Sequence, residues 1–320
     1  TNEKAAMEVG AGAAYSGARV LVTMKQVGLN VAADPLMSLE YIGVEGGMVV
    51  LVADDPGPIS SQTEQDTRHF AAFAKVPCFD PSSVAEAYAM IQEAFDFSER
   101  YHTPVFFRPT TRIDHGYASI EVKDEAEYAG NESRGFMRDP SKWVIFPRLS
   151  TRAHAAIEAR NVELAKVFSG YVRNTIEHGA SLSRKGIATH GVSYSYVQET
   201  IAEQEETGAE LPRVFKVSTP FPFPEQQAVA FLTGLDEVLC IEERELTYVC
   251  GKYQIPVRIR GKLTGDILPS GENTRDAVDT AVASFMNWPH EAAVSLPEPP
   301  VSVVRPPVLC AGCPHRASFY

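Results

Sequence analysis

The stretch TNEKAAMEVGAGAAYSGARVLVTMKQVGLNVAADPL, residues 1–36, carries the pattern that indicates the fold. Thr1 or Asn2 can cap a helix over EKAAMEVGAGAAYSG, whose many Ala and Gly residues permit close packing against a sheet. The apolar run RVLVTM then predicts a buried strand, and KQVGLNVA predicts a loop before a helix through DPLMSLEYIG. This order of elements is typical of an α/β protein.

The same alternation continues through the first third of the chain. GMVVLVADD, VPCFD and PVFFRPT predict further strands, and RHFAAFAK and SSVAEAYAMIQEAFDFSERYHT predict helices between them. Strands that alternate with helices of about 10–20 residues indicate a parallel sheet covered on both faces. We therefore assign residues 1–118 to a first α/β domain.

The pattern changes at residues 119–184, which we predict to be a connecting helical segment. A polar stretch, VKDEAEYAGNESRG, precedes a long helical pattern across RAHAAIEARNVELAKVFSGYVRNTIEHG. Residues 185–292 then form a second predicted α/β domain, with strands at GIATHG, RVFKVST and EVLCIEE and helices at SYVQETIAEQEE and EQQAVAFLTG. Because SLPEPPVSVVRPP is Pro-rich, we assign residues 293–320 to a linker and the start of a third unit.

Composition and charge limit the possible functions. The 320 residues are 44% hydrophobic, enough for a sizeable core, and the net charge of −12 argues against a nucleic-acid-binding surface, which requires clustered Lys and Arg. The apolar runs are far shorter than the ~20 residues that span a bilayer, and the opening residues lack the pattern of a secretory leader. The five cysteines are too few for a secreted disulfide framework. We therefore expect a cytoplasmic protein with reduced cysteines and no membrane contact.

Residues 1–36 resemble, nearly position for position, the pyrimidine-binding domain of thiamine diphosphate enzymes. Further matches are VVLVADDPGPISSQTEQDTRHFAAFAKVP, TPVFFRPTTRIDHG, LPRVFKVSTPFPFP with GLDEVLCIEE, and RPPVLCAGCPHRASFY. They occur in the order found in the thiamine-diphosphate-dependent 2-oxoacid:ferredoxin oxidoreductase superfamily, and they are most similar to large (alpha) subunits of the indolepyruvate:ferredoxin oxidoreductase family. A series of long matches in one order is far more specific than a single short motif.

The resemblance implies an identity for each domain. Residues 1–118 are expected to form the pyrimidine-binding domain, a parallel sheet of the thiamine diphosphate-binding fold that lacks its amino-terminal part here. Residues 185–292 are expected to form an α/β domain like the C-terminal domain of transketolase. Residues 293–320 are expected to lead into the diphosphate-binding domain.

Glu3 is the candidate catalytic residue. By residue type alone, a Glu in the first turn of a helix is an ordinary capping residue. The resemblance implies that Glu3 instead hydrogen-bonds the aminopyrimidine ring of thiamine diphosphate. By sharing a proton with a ring nitrogen, it would turn the opposite amino group into the base that removes the thiazolium C2 proton.

The segment TMKQVGLN follows the end of the first predicted strand, where α/β sheets place ligands. A plain strand-to-helix turn would have similar residue types, since Gly28 and Asn30 suit positive φ. The resemblance places this loop against the middle of the cofactor and the substrate. We therefore predict cofactor contacts for Thr23, Gln26, Gly28 and Asn30.

Two further groups of polar residues follow predicted strands. The loop DDPGPISSQTEQD, residues 54–66, faces the active site according to the resemblance, although a solvated surface loop would be equally polar. Arg108, Arg112 and His115 lie just beyond the strand PVFFRPT. They either hold a carboxylate or phosphate group or form structural ion pairs with Asp and Glu.

Cys310 and Cys313 form a single CxxC pair, CAGC. By spacing alone the pair fits half a zinc site, half an iron–sulfur ligand set, a redox pair or a chance occurrence. The resemblance implies that the pair opens the diphosphate-binding domain and, in several family members, helps to ligate an iron–sulfur cluster.

Several parts of the family pattern do not occur in the sequence. The GDG-type segment that holds magnesium and diphosphate and the YPGTPSSE-like loop expected before Glu3 are both missing, and the first residue is not Met. We therefore expect a fragment of a longer protein that is inactive by itself.

The resemblance implies that the full protein oxidatively decarboxylates an aryl 2-oxoacid, such as indolepyruvate, to an acyl-CoA. Its implied cofactors are thiamine diphosphate, Mg²⁺ and an iron–sulfur cluster. Its implied partners are a small beta subunit, ferredoxin, coenzyme A and the 2-oxoacid substrate. Two alternatives remain: a related oxidoreductase with another 2-oxoacid substrate, and a non-catalytic subunit or interaction module that keeps the fold.

Overall fold

Two β-sheets organise the part of the chain that a computed structural model describes, residues 2–124, 127, 133–177, 183–242 and 245–289. Both sheets belong to one unit, Thr1–Trp288. A second unit, Pro289–Tyr320, lies outside the described residues except for Pro289, so the predicted linker in residues 293–320 does too.

The first sheet has four parallel strands in the order β1-β2-β4-β3. Its strands are runs of apolar residues because both faces of β2 and β4 are covered by helices. Gly10 of the first helix permits close packing against β1, since a Cβ there would lie 2.7 Å from Val22 Cγ2. The elements are α1 (Glu3–Tyr15), β1 (Val20–Lys25), α2 (Gln26–Ile42), β2 (Met48–Ala53), α3 (Thr67–Ala74), β3 (Cys78–Phe79), α4 (Val84–Tyr101) and β4 (Val105–Phe107).

The predicted loop KQVGLNVA is wrong, because α2 begins at Gln26 immediately after β1. Within the first turn, the Gln26 side chain accepts a hydrogen bond from the Val27 amide at 2.6 Å. Gly28 and Asn30, which suggested a turn, are both helical. Helix α2 begins well before Pro35 and continues through it, so this proline does not mark the start of the helix.

The connection between the sheets contains α5 (Thr111–Asp114), α6 (Pro140–Trp143) and α7 (Pro147–Ser169). The helix predicted across the second half of this segment continues too far, because the chain turns at Gly170 and forms a strand, β5 (Thr175–Glu177). Asn174 fixes this change of direction. Its Nδ2 donates to the Phe168 carbonyl at 2.8 Å, and its Oδ1 accepts from the Ser218 amide at 2.6 Å.

The second sheet has five strands in the order β5-β7-β6-β8-β9. Strand β5 is antiparallel to its neighbour and the other pairs are parallel. The elements after β5 are β6 (Lys185–Thr189), α8 (Val192–Glu205), β7 (Arg213–Lys216), α9 (Glu225–Leu232), β8 (Glu237–Ile241), α10 (Leu246–Tyr253), β9 (Arg258–Arg260) and α11 (Arg275–Met286).

The two sheets meet along β3 and the segment after β7. The Cys78 amide donates to the Phe221 carbonyl at 2.7 Å, and the Asp80 amide donates to the Ser218 carbonyl at 2.8 Å. Phe79 packs edge-on against Phe168 of α7, with ring centroids 5.6 Å apart. The predicted α/β class with parallel sheets is confirmed. The domain boundaries at residues 118, 184 and 292 stay predictions.

Candidate active site

Helix α1 begins with a capped turn that carries Glu3. The Asn2 side chain accepts a hydrogen bond from the Ala5 amide at 3.0 Å, which satisfies one free N–H group of the first turn. Glu3 follows as the first helical residue and is half-buried. Its carboxyl group therefore lies at the amino-terminal end of α1.

Gly28, in the first turn of α2, leaves room for the Glu3 side chain. A Cβ atom on residue 28 would lie 2.6 Å from Glu3 Cγ and 2.9 Å from Glu3 Oε1, closer than Cβ atoms approach other heavy atoms. Because α2 starts where β1 ends, this contact places the Glu3 carboxyl group at the carboxyl end of the parallel sheet. Ligands of open α/β sheets bind at that edge.

Gln26 is fully buried and faces the loop that follows β2. Its Nε2 donates to the Thr63 carbonyl at 2.9 Å, and its Oε1 also lies 3.4 Å from Ser61 Oγ. The loop is therefore fixed to the same helical turn that Glu3 contacts. Thr23 and Asn30 flank this turn and have exposed side chains.

Asp55 organises the loop after β2 from within. Although burial alone would raise the pKa of Asp55, the hydrogen bonds that it accepts lower the pKa to about 2, so its carboxylate is charged at neutral pH. It accepts from the Ile59 amide at 3.2 Å, the Ser60 amide at 3.0 Å, Ser61 Oγ at 2.7 Å and Thr111 Oγ1 at 2.9 Å.

Arg108 lies just beyond β4 and is buried. Its Nε donates to Asp54 Oδ2 at 2.7 Å, and its Nη1 donates to Asp80 Oδ2 at 3.1 Å. Desolvation and the like charge of Arg68 would lower the pKa of the guanidinium, but the surrounding carboxylates outweigh them and raise this pKa above its usual range. Of the two interpretations of this arginine, the geometry favours the structural ion pair.

Arg112 and His115 lie farther out on the same segment. Arg112 forms a two-pronged pair with Glu272, with Nε–Oε1 and Nη2–Oε2 distances of 2.6 and 2.7 Å, and its side chain is mostly exposed. His115 is exposed at the end of α5. Neither residue contacts Glu3 among the described residues. Through Glu272, Arg112 links this segment to the part of the chain that carries the second sheet.

The Arg108 cluster continues across the junction of the two sheets. His190 Nδ1, at the end of β6, lies 2.7 Å from Asp80 Oδ2. The guanidinium of Arg68 lies against the His190 ring, with Nη1 2.8 Å from Nε2, and its Nη2 donates to Glu242 Oε2 at 2.8 Å. Burial alone would raise the pKa of Glu242, but Arg68 and then Lys262 lower it to about 2.

A cleft of about 300 Å³ opens beside this cluster. Arg68, Arg108, Glu242 and Lys262 line it together with the polar loop after β2. The cluster therefore forms one wall of a cleft at the carboxyl ends of β2 and β4, the same side of the first sheet as Glu3. Acids balance the bases along this wall, which leaves little excess positive charge for an anionic ligand.

Sequence reasoning did not single out Asp55, Asp80, Arg68 or His190. A signal for three of them was present, because Asp55, Asp80 and His190 each stand just beyond an apolar strand. Polar residues at that position face the ligand-binding edge of a parallel sheet. Their mutual contacts, however, join residues more than a hundred positions apart, as with Arg68 and His190 at a separation of 122.

The candidate metal ligands Cys310 and Cys313 lie outside the described residues. Within the described part of the chain, Cys78 and Cys240 are buried and Cys250 is half-buried. Burial raises the pKa of Cys78 far above its usual range. The same part of the chain contains no group of three or more His, Cys, Asp or Glu side chains placed to hold a metal ion.

Residues 1–163 match the family model described as "Pyruvate flavodoxin/ferredoxin oxidoreductase, thiamine diP-bdg". The match covers half of the chain and includes Glu3, Gly28 and the loop held by Asp55. The chain belongs to this thiamine diphosphate-binding family of oxidoreductases.

Among curated proteins, the chain is 39% identical to the indolepyruvate oxidoreductase subunit IorA of Methanothermobacter thermautotrophicus. The alignment covers 100% of this chain and 51% of the relative. Five further archaeal subunits of the same name are 34–38% identical, again over the whole chain and 51% of their length. The chain thus spans about half the length of these relatives.

Two solved structures share the fold. A 2-oxoglutarate:ferredoxin oxidoreductase from Magnetococcus marinus, with 2-oxoglutarate, coenzyme A and succinyl-CoA bound, superimposes with a TM-score of 0.63 at 14% identity. The match covers 89% of this chain and 56% of that one. A split-gene transketolase, an inactive beta4 tetramer, superimposes with a TM-score of 0.55 at 15% identity and covers 90% and 82%.

These similarities confirm the predicted fold: a thiamine diphosphate-binding sheet followed by a transketolase-like α/β domain. Among the described helices, none has both the length and the apolar character needed to cross a membrane.

Proposed function

We propose that the protein carrying this chain is the large subunit of a thiamine-diphosphate-dependent oxidoreductase that converts aryl 2-oxoacids, indolepyruvate among them, to acyl-CoA. The contact between Glu3 and Gly28 carries the proposal, because it holds a carboxylate at the ligand-binding edge of the first sheet. The family match and the names of the six relatives support the reaction class.

The residues around Glu3 fit the pyrimidine end of thiamine diphosphate. The cofactor, when bound, supplies a carbon nucleophile that stabilises the negative charge left by decarboxylation. Glu3 would hold a proton against the ring nitrogen of the pyrimidine, with its carboxyl group kept in place by the glycine backbone of α2. Gln26 would support Glu3 indirectly, because its Nε2 holds the adjacent loop and its Oε1 holds the first turn of α2.

The remaining predicted contacts lie on the same edge. Thr23 is exposed and is the third residue from the end of β1. Asn30 is exposed on the second turn of α2. Both side chains are free to face a ligand that covers the first turn of α2. We therefore keep all four predicted cofactor-binding residues in the proposal: Thr23 and Asn30 would contact the cofactor directly, and the buried Gln26 and Gly28 would shape the helix turn beneath it.

Further components of the proposed enzyme are Mg²⁺ for the diphosphate and an iron–sulfur cluster for electron transfer. Cys310 and Cys313 supply two thiolates, whereas a stable cluster needs about four ligands. The remaining ligands would come from other parts of the full protein. Ferredoxin would accept the electrons, coenzyme A would accept the acyl group, and a small beta subunit would complete a cytoplasmic enzyme.

Glu3→Gln in the full-length protein tests the proposal. Because an amide cannot share its proton with the ring nitrogen in the same way, hydrogen–deuterium exchange at C2 of bound thiamine diphosphate should slow about 10²- to 10⁴-fold. Glu8→Gln, an exposed position on the same helix, is the matched control and should exchange at the wild-type rate. An unchanged exchange rate in Glu3→Gln would remove Glu3 from the mechanism.

The cluster assignment has its own test. Cys310→Ser combined with Cys313→Ser in the full-length protein should lower the iron and sulfide content and change the electron paramagnetic resonance spectrum of the reduced enzyme. Cys78→Ser, at a buried thiol of the first sheet, serves as the control for the loss of a cysteine. The same iron content in both variants would mean that the CAGC pair is structural.

A further inference from the structure

Residues 133–152, called the basic segment below, differ in charge from the rest of the chain. The segment contains five basic residues and one acidic residue, whereas the whole chain has a net charge of −12. Its acidic residue, Asp139, is already engaged, because it accepts hydrogen bonds from the amide and hydroxyl of Ser141 at 2.9 and 2.6 Å. The basic residues are Arg134, Arg138, Lys142, Arg148 and Arg152.

Three arginines of the segment have no ion-pair partner among the residues that the structure describes. Arg134, Arg138 and Arg148 are exposed, and none of them forms an ion pair with another residue of the described ranges. Lys142, in contrast, pairs with Glu45 and lies over the Trp143 ring. The segment therefore presents a positive surface on an otherwise acidic protein.

Large apolar side chains are exposed between these arginines. Phe136, Met137 and Phe146 are 52%, 71% and 65% exposed, and Val144 and Ile145 are 42% and 40% exposed. Arg, Met and aromatic residues together are the composition that distinguishes protein–protein interfaces from the rest of a surface. A contiguous run of such residues marks an interaction site.

The backbone of the segment is held in place, so the exposed groups have fixed positions. Ser133 Oγ donates to the Ser16 carbonyl at 2.7 Å, and Trp143 Nε1 donates to the Met137 carbonyl at 2.7 Å. The Trp143 ring packs against Tyr15 of α1, with centroids 4.9 Å apart. A surface that is ordered before binding loses less conformational entropy when a partner docks.

We propose that the basic segment is the docking surface for an acidic face of another subunit of the oxidoreductase. This inference rests on the proposed function, since the relatives are named as subunits of a larger enzyme. Charge complementarity selects the occupant. A symmetric contact with a second copy would bring the same arginines face to face, which is unfavourable, whereas an acidic partner would pair with them.

The test measures the affinity between the full-length protein and the purified small subunit of the enzyme, at about 50 mM and about 0.5 M NaCl. Arg134→Glu combined with Arg138→Glu should weaken the affinity about tenfold or more at the lower salt, and the loss should shrink at the higher salt because salt screens exposed charges. Arg184→Glu combined with Arg258→Glu is the matched control. It makes the same charge change at side chains that are 66% and 72% exposed, and the affinity should stay near wild type.

A second variant tests the apolar part of the surface. Phe146→Ser should weaken binding at both salt concentrations alike, because the lost contact is not electrostatic. Phe73→Ser, on α3 and 71% exposed, removes the same side chain elsewhere and should leave binding unchanged. Unfolding midpoints of all four variants near that of wild type would show that the fold is intact.

Three outcomes would overturn the inference. Wild-type affinity in the arginine and Phe146 variants would overturn the docking surface while leaving the subunit assignment in place. Absence of any binding by the wild-type protein would overturn both the surface and the proposed assembly. A change confined to self-association of the large subunit would assign the surface to a second copy instead.

Discussion

The Glu3 side chain occupies the space that a side chain on Gly28 would need. The shortest approach is 2.6 Å, between Glu3 Cγ and the position of a Cβ atom on residue 28. Two elements that are separate in sequence, the first turn of α1 and the first turn of α2, are therefore fitted to each other at one glycine. The orientation of the carboxyl group depends on that fit.

Gly28→Ala is expected to displace Glu3 and to weaken thiamine diphosphate binding by the full-length protein at least about tenfold. A helical Gly→Ala change by itself stabilises a helix by roughly 1 kcal/mol, so a loss cannot come from helix propensity. Gly12→Ala on α1 is the matched control, since beyond its chain neighbours and the helix's own backbone no heavy atom lies within 4 Å of a Cβ there. Binding titrations of both variants, followed by cofactor fluorescence or calorimetry, check the expectation. Equal affinities would contradict the role of this contact.

Asp55→Asn is expected to loosen the loop after β2 without unfolding the sheet. An amide has one acceptor oxygen and cannot satisfy the four donors that the Asp55 carboxylate now serves, so these part-buried donors lose hydrogen bonds worth about 0.5–1.5 kcal/mol each. Hydrogen–deuterium exchange at the Ile59 and Ser60 amides should rise about tenfold or more. Asp34→Asn, an exposed partner of Lys4, should leave exchange at those amides unchanged. Protection equal to wild type in Asp55→Asn would show that the loop is held by other contacts.

Arg108→Met is expected to lower the free energy of unfolding by about 3–5 kcal/mol, because it leaves two buried carboxylates without their cation. Arg112→Met, four residues later, removes an exposed partner of Glu272 and should cost no more than about 1 kcal/mol. Urea unfolding of both variants checks the difference. Similar losses for the two would mean that burial does not decide the strength of these pairs.

Buried strands were the easiest elements to predict from the sequence. VVLVA in β2 and VFF in β4 are continuous apolar runs because neighbouring strands and helices cover both faces. Strand β5 gave no such signal. Its three residues are half-buried and pair antiparallel with β7, about forty positions later, so the local pattern resembled the end of α7. Only the tertiary contacts of Asn174 reveal the change.

The candidate site also contains both residues that the sequence indicated and residues that it did not indicate. Glu3 and Gly28 were both singled out from one stretch whose family pattern is specific, and the structure brings them into contact, while their roles toward the cofactor stay predictions. Gln26 was predicted as a cofactor contact, and its observed role in holding the loop depends on Thr63, far along the chain. The cluster of Arg68, His190 and Glu242 could not be predicted, because its members come from both sheets and meet only when these pack together.

Glu40 provides a test of the packing of α7 against the first sheet. Its carboxyl group is buried, pairs with Arg160 of α7 and accepts a hydrogen bond from Thr103 Oγ1 at 3.1 Å. Burial raises the pKa of Glu40 to about 7, and the pairing with Arg160 offsets only part of this effect. The folded protein therefore keeps a proton on Glu40 at pH values where the unfolded chain, with an ordinary pKa near ~4.3, has lost it.

The free energy of unfolding should consequently fall as the pH rises through this window. The contribution of Glu40 is fully present below about pH 4.3 and is lost by about pH 7, a total of about 4 kcal/mol at 1.36 kcal/mol per pKa unit. Glu40→Gln removes the titrating group, so urea unfolding of this variant should show a flatter dependence between about pH 4.5 and 7.5. Glu163→Gln, an exposed position on α7, should keep the wild-type decline. A decline of the same size in Glu40→Gln would assign the titration to another group and would contradict the raised pKa of the buried acid.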